Sequence, residues 1–282
     1  MNLKFLREKH TKKMILASIF WFFCSSCVSH LEEAKSYFTQ GQKYSRLSQS
    51  EKATAAYKRA IEEAERELSH HPSSQAFTVK GMAALNLGLW QEAEESFLSA
   101  FVYGFEKGEE WAGQVSLLGL GISLLETGLE ETALEVFSYL LDKSKFIPVL
   151  SVAAQNFAEY TLRTMDGMEE KEKNKTITRL LARIQRLTRK DMSFGYFHYL
   201  QSQIYSHLAD YQRSFEEAAM ARELGLPSVN IFRDNDRQII FCFRKLKENL
   251  GRQKWEEFQS LYRQWIEKWN WKDPETPDWK TR

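Results

Sequence analysis

The sequence has little of what reaction centres are built from. Its six histidines, His10, His30, His70, His71, His198 and His207, include no pair four residues apart, the spacing that sets two metal ligands on one helical face. His70-His71 precede Pro72 at a helix end, where His suits the dipole. No metal and no cofactor is therefore expected. There is no Gly-rich phosphate loop, no Gly-x-Ser-x-Gly and no Cys/His nucleophile context. Carboxylate pairs such as Glu94-Glu95 and Glu216-Glu217 read as solvated outer faces of helices. The expectation is a protein that is not an enzyme. Strand-like alternation is missing at any length, prolines number five, and the 39 basic side chains nearly cancel the 38 acidic ones. That composition fits one elongated all-helical domain in 282 residues and gives no global drive toward nucleic acid.

What is present is a repeat. Gly41, Gly81 and Gly121 are spaced by 40 residues, as are Ala53, Ala93 and Ala133, and Tyr57, Phe97 and Phe137. Ala60, Ala100 and Leu140 keep the same step. Spacings of three and four put Ala53, Tyr57 and Ala60 on one face of a helix. The Gly lies on the helix before, with Tyr37 and Tyr44 flanking Gly41. A glycine inside a helix costs about 1 kcal/mol against alanine, a cost accepted where a second helix comes close. Ala53, Ala93 and Ala133 are the small residues expected to face it. Gly88 and Gly128 stand where the first helix of a hairpin must stop, as left-handed caps. Pro72, Pro148 and Pro227 punctuate the ends of second helices.

These positions resemble the tetratricopeptide repeat (TPR), with its period lengthened from 34 residues to 40. The resemblance implies an all-α, TPR-like right-handed solenoid of antiparallel helix hairpins with a C-terminal capping helix pair. Repeats are expected at 34–67, 74–107 and 114–147, a degenerate one at 149–190 with a charged loop near Met168–Lys175, and a last at 195–227. Capping helices follow at 228–271 and a loose tail at 272–282.

The N-terminus differs from the rest. Lys4, Arg7, Lys9, Lys12 and Lys13 precede the apolar run Met14–Phe23, which is too short for a span of about 20 residues and suits a signal peptide over 1–26. Ser26-Cys27 resembles a bacterial lipobox, although Cys24 stands where Leu is usual. The resemblance implies acylation of Cys27 by palmitate-type chains and a short tether over 27–33. Without residues 1–26, 34 basic and 37 acidic side chains remain, a net charge of −3. Cys242 is then left without a disulfide partner and reads as a small core residue.

In TPR-like arrays the concave wall comes from the first helix of each hairpin. Carrying that frame over, the groove is lined by Met82, Leu85 and Asn86, then Leu118, Ile122 and Leu125, then Tyr196 and Tyr199. An apolar surface of this kind marks a binding site for a helix or an extended peptide. The alternative is that the protein fills the groove itself. Five of the eight tryptophans, Trp255, Trp265, Trp269, Trp271 and Trp279, lie near the C-terminus. The face Phe258, Leu261, Tyr262, Trp265 and Trp269 reads as a cap, with a homo-oligomer contact as the other use. The expectation is a membrane-tethered, non-enzymatic scaffold of the bacterial cell envelope. It would be lipid-anchored in the outer membrane, facing the periplasm, and bind an envelope protein or peptide through the groove. The alternative function is an apolar small-ligand-binding module associated with a transporter.

Overall fold

The computed structural model describes residues 29–269, so the expected signal peptide, Cys27 and the expected tail lie outside the described residues. The described residues form twelve α-helices and one 3-10 turn, with no strand among them. The helices are α1 His30–Arg46, α2 Ser50–His70, α3 Ser74–Asn86, α4 Trp90–Tyr103, α5 Glu110–Glu126 and α6 Glu130–Lys143. They continue as α7 Ile147–Thr164, α8 Glu170–Lys190, α9 Gly195–His207, α10 Tyr211–Leu224, α11 Val229–Asn249 and α12 Arg252–Trp269. The expected all-α, TPR-like architecture of helix hairpins is present. None of these helices is long and apolar enough to cross a membrane. The chain divides into two compact units, Met1–Val136 and Phe137–Arg282, with the boundary inside α6.

In the first unit, the starts of two first helices, α1 and α3, follow from capping. The Ser29 hydroxyl accepts from the Glu32 amide, and Glu32 and Glu33 fill the positive first turn of α1. Residues 30–33, expected as tether, are therefore helical. Ser73 caps α3 in the same way. The glycines do admit close neighbours, but not the alanines expected. A Cβ on Gly41 would lie 2.5 Å from the Tyr57 ring, and one on Gly81 would lie 2.7 Å from the Phe97 ring. The Phe97 ring also occupies the space beside Gly119 on α5. One fully buried ring thus fills glycine hollows in two successive hairpins. Burying such a ring contributes about 1.5–3 kcal/mol. The alanines Ala53, Ala60, Ala93 and Ala100 are buried around the rings.

First helices touch each other as well as their own partners: α3 packs on both α1 and α5. Buried hydroxyls of Thr78 and Ser116 meet at 2.8 Å across that α3–α5 contact. Ser74 and Gln75 donate to the Glu109 carboxylate. These bonds, led by Gln75, hold the Glu109 pKa below its ordinary value against a smaller desolvation effect.

The hairpin turns share one design. Gln49, Leu89 and Leu129 in the first unit, and Asp210 in the second, each donate a backbone N–H to the carbonyl five residues earlier, closing a Schellman turn. Gly88 and Gly128 supply the positive φ as expected, but Ser48 (φ 56°) and Ala209 (φ 55°) adopt it at the matching positions.

In the second unit α7 packs on α8 and α9, α9 on α8, α10 and α11, and α10 on α11. Its end is an aromatic cluster. Phe215 of α10, Phe243 of α11, and Phe258 and Tyr262 of α12 are buried together, flanked by Trp255, Trp265 and Trp269. Phe243 and Tyr262 stack at 4.2 Å and 29°. The apolar face of α12 is thus spent on α10 and α11. Beneath it lies a polar core. Cys242 donates to Ser214 Oγ at 3.1 Å, Gln238 donates to the same oxygen, and Ser214 donates to the Ser202 carbonyl. Cys242 is fully buried and its thiol pKa is pushed up to about 11 by that burial, which makes it a core residue and an inert one. Asp236, also fully buried, pairs with Arg222 at 2.9 Å. The Arg222 guanidinium lies over both Phe232 and Trp269.

Candidate functional site: the first-helix wall

The residues expected to line a groove fall into both units. Met82, Leu85, Asn86, Leu118, Ile122 and Leu125 belong to the first unit, and Tyr196 and Tyr199 to the second.

In the first unit the five apolar residues are all half-buried. Met82 and Leu85 lie on α3, and Leu118, Ile122 and Leu125 lie on α5. Helices α3 and α5 are apolar on nearly every side, which is the pattern of a helix enclosed by neighbours. The inner faces are Ala76, Val79, Ala83 and Ala84 on α3, and Ala112, Ser116, Gly119 and Ser123 on α5. Met82 and Leu85 also pack against the cluster of Ala84, Ala93 and Phe97. They therefore offer only part of their surface. The side chain of Asn86 is exposed, and its amide donates back to the Met82 carbonyl at 2.8 Å.

Beside the turn ends of α3 and α5 is a 510 Å³ cavity. It is lined by Gly88, Leu89, Trp90, Gln91, Glu92, Glu126 and Thr127, none of which is among the apolar wall residues. Sequence reading missed Trp90. The signal available was an indole directly after the Gly88 turn.

In the second unit Tyr196 is buried, at 3 % exposure, and stacks on the half-buried Tyr199 at 5.7 Å. Its hydroxyl titrates well above the ordinary tyrosine value because of burial and the nearby Glu159. Burial, with Asp234 and Glu159, pushes Tyr199 up to about 12. Tyr196 thus presents almost no surface to a partner. The physical reason is the packing of α9, which buries eight of its thirteen residues. On the same helix His198 bonds Glu217 at 2.7 Å, and Gln201 reaches both Glu217 and Thr188. Glu217, expected on a solvated face, is instead half-buried in that network.

One histidine cluster escaped the spacing rule, because its members come from two helices. Ligand atoms of His30, Glu33 and Glu63 lie within 4.8 Å of one another. The His30 ring meets Glu63 at 2.7 Å, and the other Glu63 oxygen holds Arg66. Leu31 N–H donates to Glu67. With a cation already on Glu63, the arrangement ties the start of α1 to the end of α2.

No family model and no curated protein matches the chain. Solved structures similar to it include YrrB, described as a TPR protein with an unusual peptide-binding site, at 17 % identity and a TM-score of 0.39 over 73 % of this chain and 93 % of that one. Another is pilF of Pseudomonas aeruginosa, at 14 % identity and a TM-score of 0.48 over 82 % of this chain and 98 % of that one.

Proposed function

We propose that the protein is a non-enzymatic scaffold that holds a helix or extended peptide of another cell-envelope protein against the wall formed by α3 and α5. The observation that carries this reading is the row Leu118, Ile122 and Leu125. These residues recur at i, i+4 and i+7 on one helix, half-buried and apolar, beside Met82 and Leu85 on the helix it touches. Apolar side chains left partly open on successive helices gain about 25 cal/mol for each Å² a partner covers. Repeat architecture suits this, since each hairpin adds wall without adding a separate core.

The same reading places the chain at a membrane, through acylation of Cys27. Its support is the basic head, the short apolar run and Ser26-Cys27 in the sequence. Helix α1 begins at His30, so only Val28 and Ser29 separate the acylated residue from the helix. At about 3.5 Å per residue the lipid would hold the first hairpin within roughly 10 Å of the bilayer surface.

The test is crosslinking and capture from native membranes, comparing wild type with Leu118→Lys/Ile122→Lys. Circular dichroism checks that the variant remains helical. A specific envelope protein captured by wild type and lost from the folded variant supports the reading. Identical capture by both moves docking off this wall. Membrane fractionation of Cys27→Ser tests the anchor separately, with release into the soluble fraction as the expected result.

A further inference from the structure

The first hairpin carries positive charge that the fold leaves unanswered. In the first unit Lys35, Arg66 and Lys80 are each paired with a glutamate. Lys52 and Arg59 on α2 have no carboxylate partner among the described residues. Each instead lies over a tyrosine of α1. Lys52 Nζ is 5.8 Å from the centre of the Tyr44 ring, and the Arg59 guanidinium carbon is 5.9 Å from that of Tyr37. A 230 Å³ cleft runs between the two rows, lined also by Gln40, Ala55 and Ala56. Residues 34–60 contain six basic side chains and a single acidic one, Glu51, and of the six Lys35 is paired with Glu32. The cleft therefore favours an anionic occupant.

The spacing narrows the choice. Tyr37 and Tyr44 are seven residues apart on α1, and Lys52 and Arg59 are seven apart on α2. Seven helical residues rise about 10.5 Å. In a polyproline-II helix, positions three apart share a face and lie about 9 Å apart. Prolines spaced by three would then meet both rings, as Pro-x-x-Pro segments do in aromatic-lined grooves. Carboxylates spaced by three, one residue further on, would meet both cations. Asp273-Pro274-Glu275-Thr276-Pro277-Asp278 has this pattern, in sequence outside the described residues.

We propose that the cleft docks residues 273–278 of a second copy of this chain. Pro274 and Pro277 sit on Tyr37 and Tyr44, and Glu275 and Asp278 pair with Arg59 and Lys52, respectively. Such a tail-to-hairpin contact is heterologous, so it adds copies in series rather than closing a symmetric pair. It uses a different face from the α3–α5 wall and does not depend on the scaffold reading.

The experiment is sedimentation velocity of the full-length chain in detergent across a concentration series. Wild type is expected to self-associate, and less so as salt rises. Lys52→Glu/Arg59→Glu and Glu275→Lys/Asp278→Lys should each weaken association by about tenfold or more, since like charges then face each other. Mixing the two variants should restore it, because an acidic cleft meets a basic tail and a basic cleft meets an acidic one. Circular dichroism confirms that both variants keep their helix. A wild-type chain that stays monomeric throughout overturns the proposal. So does association that survives either variant, or a mixture that stays dissociated.

Discussion

The first two hairpins and the last one bury comparable faces with opposite materials. In the first unit the core is small residues with one ring per hairpin: Gly41 beneath Tyr57, and Gly81 and Gly119 around Phe97. At the end of the second unit it is rings on rings, with Phe215, Phe243, Phe258 and Tyr262 in mutual contact. Glycine hollows let helices approach closely, so that any added atom must displace the ring that fills them. An aromatic cluster fills a wider gap with tilted and stacked pairs, each adding about 0.5–1.5 kcal/mol beyond its burial. The first arrangement repeats within each hairpin, the glycine of the first helix meeting the ring of the second, and Gly119 adds a hollow for the ring of the preceding hairpin. The second terminates, because its rings are consumed within α10, α11 and α12.

Substitutions can break this contrast. The largest effect is expected from Phe97→Ala, which empties two hollows at once and should cost about 3–5 kcal/mol in urea unfolding. Hydrogen exchange should show the loss concentrated in α3, α4 and α5. Glycine-to-alanine changes test whether hollows matter only in the first unit. Gly195, in the second unit, faces the backbone carbonyls of Ala221 and Gly225. Main chain cannot swing aside, so Gly195→Ala should cost about 2–3 kcal/mol. Gly81→Ala meets the Phe97 ring, which can tilt, and should cost less, about 1–2 kcal/mol. Equal costs at the two sites would show that ring and backbone are equally unyielding.

The turns sharpen the comparison from the other side. Ala209 holds a left-handed conformation that Gly128 adopts freely. Ala209→Gly should therefore raise stability by about 1 kcal/mol, and Gly128→Ala should lower it by about as much. Differential scanning calorimetry of the pair would show opposite shifts in Tm.

The smallest effects are electrostatic, and they differ in sign between the units. The Glu109 pKa is lowered, chiefly by the Gln75 hydrogen bond. Its contribution is present above the ordinary value of 4.5 and fades as pH falls through the folded value. The Asp236 pKa is raised, chiefly by desolvation and against the pull of Arg222. Its contribution is complete below 3.8 and is lost as pH rises through the folded value. Glu109→Gln should flatten the acid limb of a Tm–pH curve, and Asp236→Asn should flatten the opposite slope just above it. Glu109 is only half-buried where Asp236 is fully buried, so its effect is the weaker.

Much of the fold was legible in the chain. Helical spacing of three and four is local information, so the 40-residue step and the glycines at 88 and 128 announced hairpins and their turns. The identity of each neighbour was not legible. The ring that fills the Gly81 hollow is sixteen residues away, and the hydroxyl that meets Thr78 is thirty-eight away. The positive φ at Ser48 and Ala209 was also hidden, because neither residue type asks for it and only closure of the hairpin imposes it. The burial of Tyr196 was decided by packing around α9, and the cleft between Tyr37, Tyr44, Lys52 and Arg59 by the way α1 lies against α2. The sequence by itself determined that this chain is a series of helix hairpins, since periodicity fixes which face of each helix is apolar. Only the tertiary structure decided which apolar residues stay half-open and which cations stay unpaired, because exposure and pairing depend on what the neighbouring helix brings within a few ångströms.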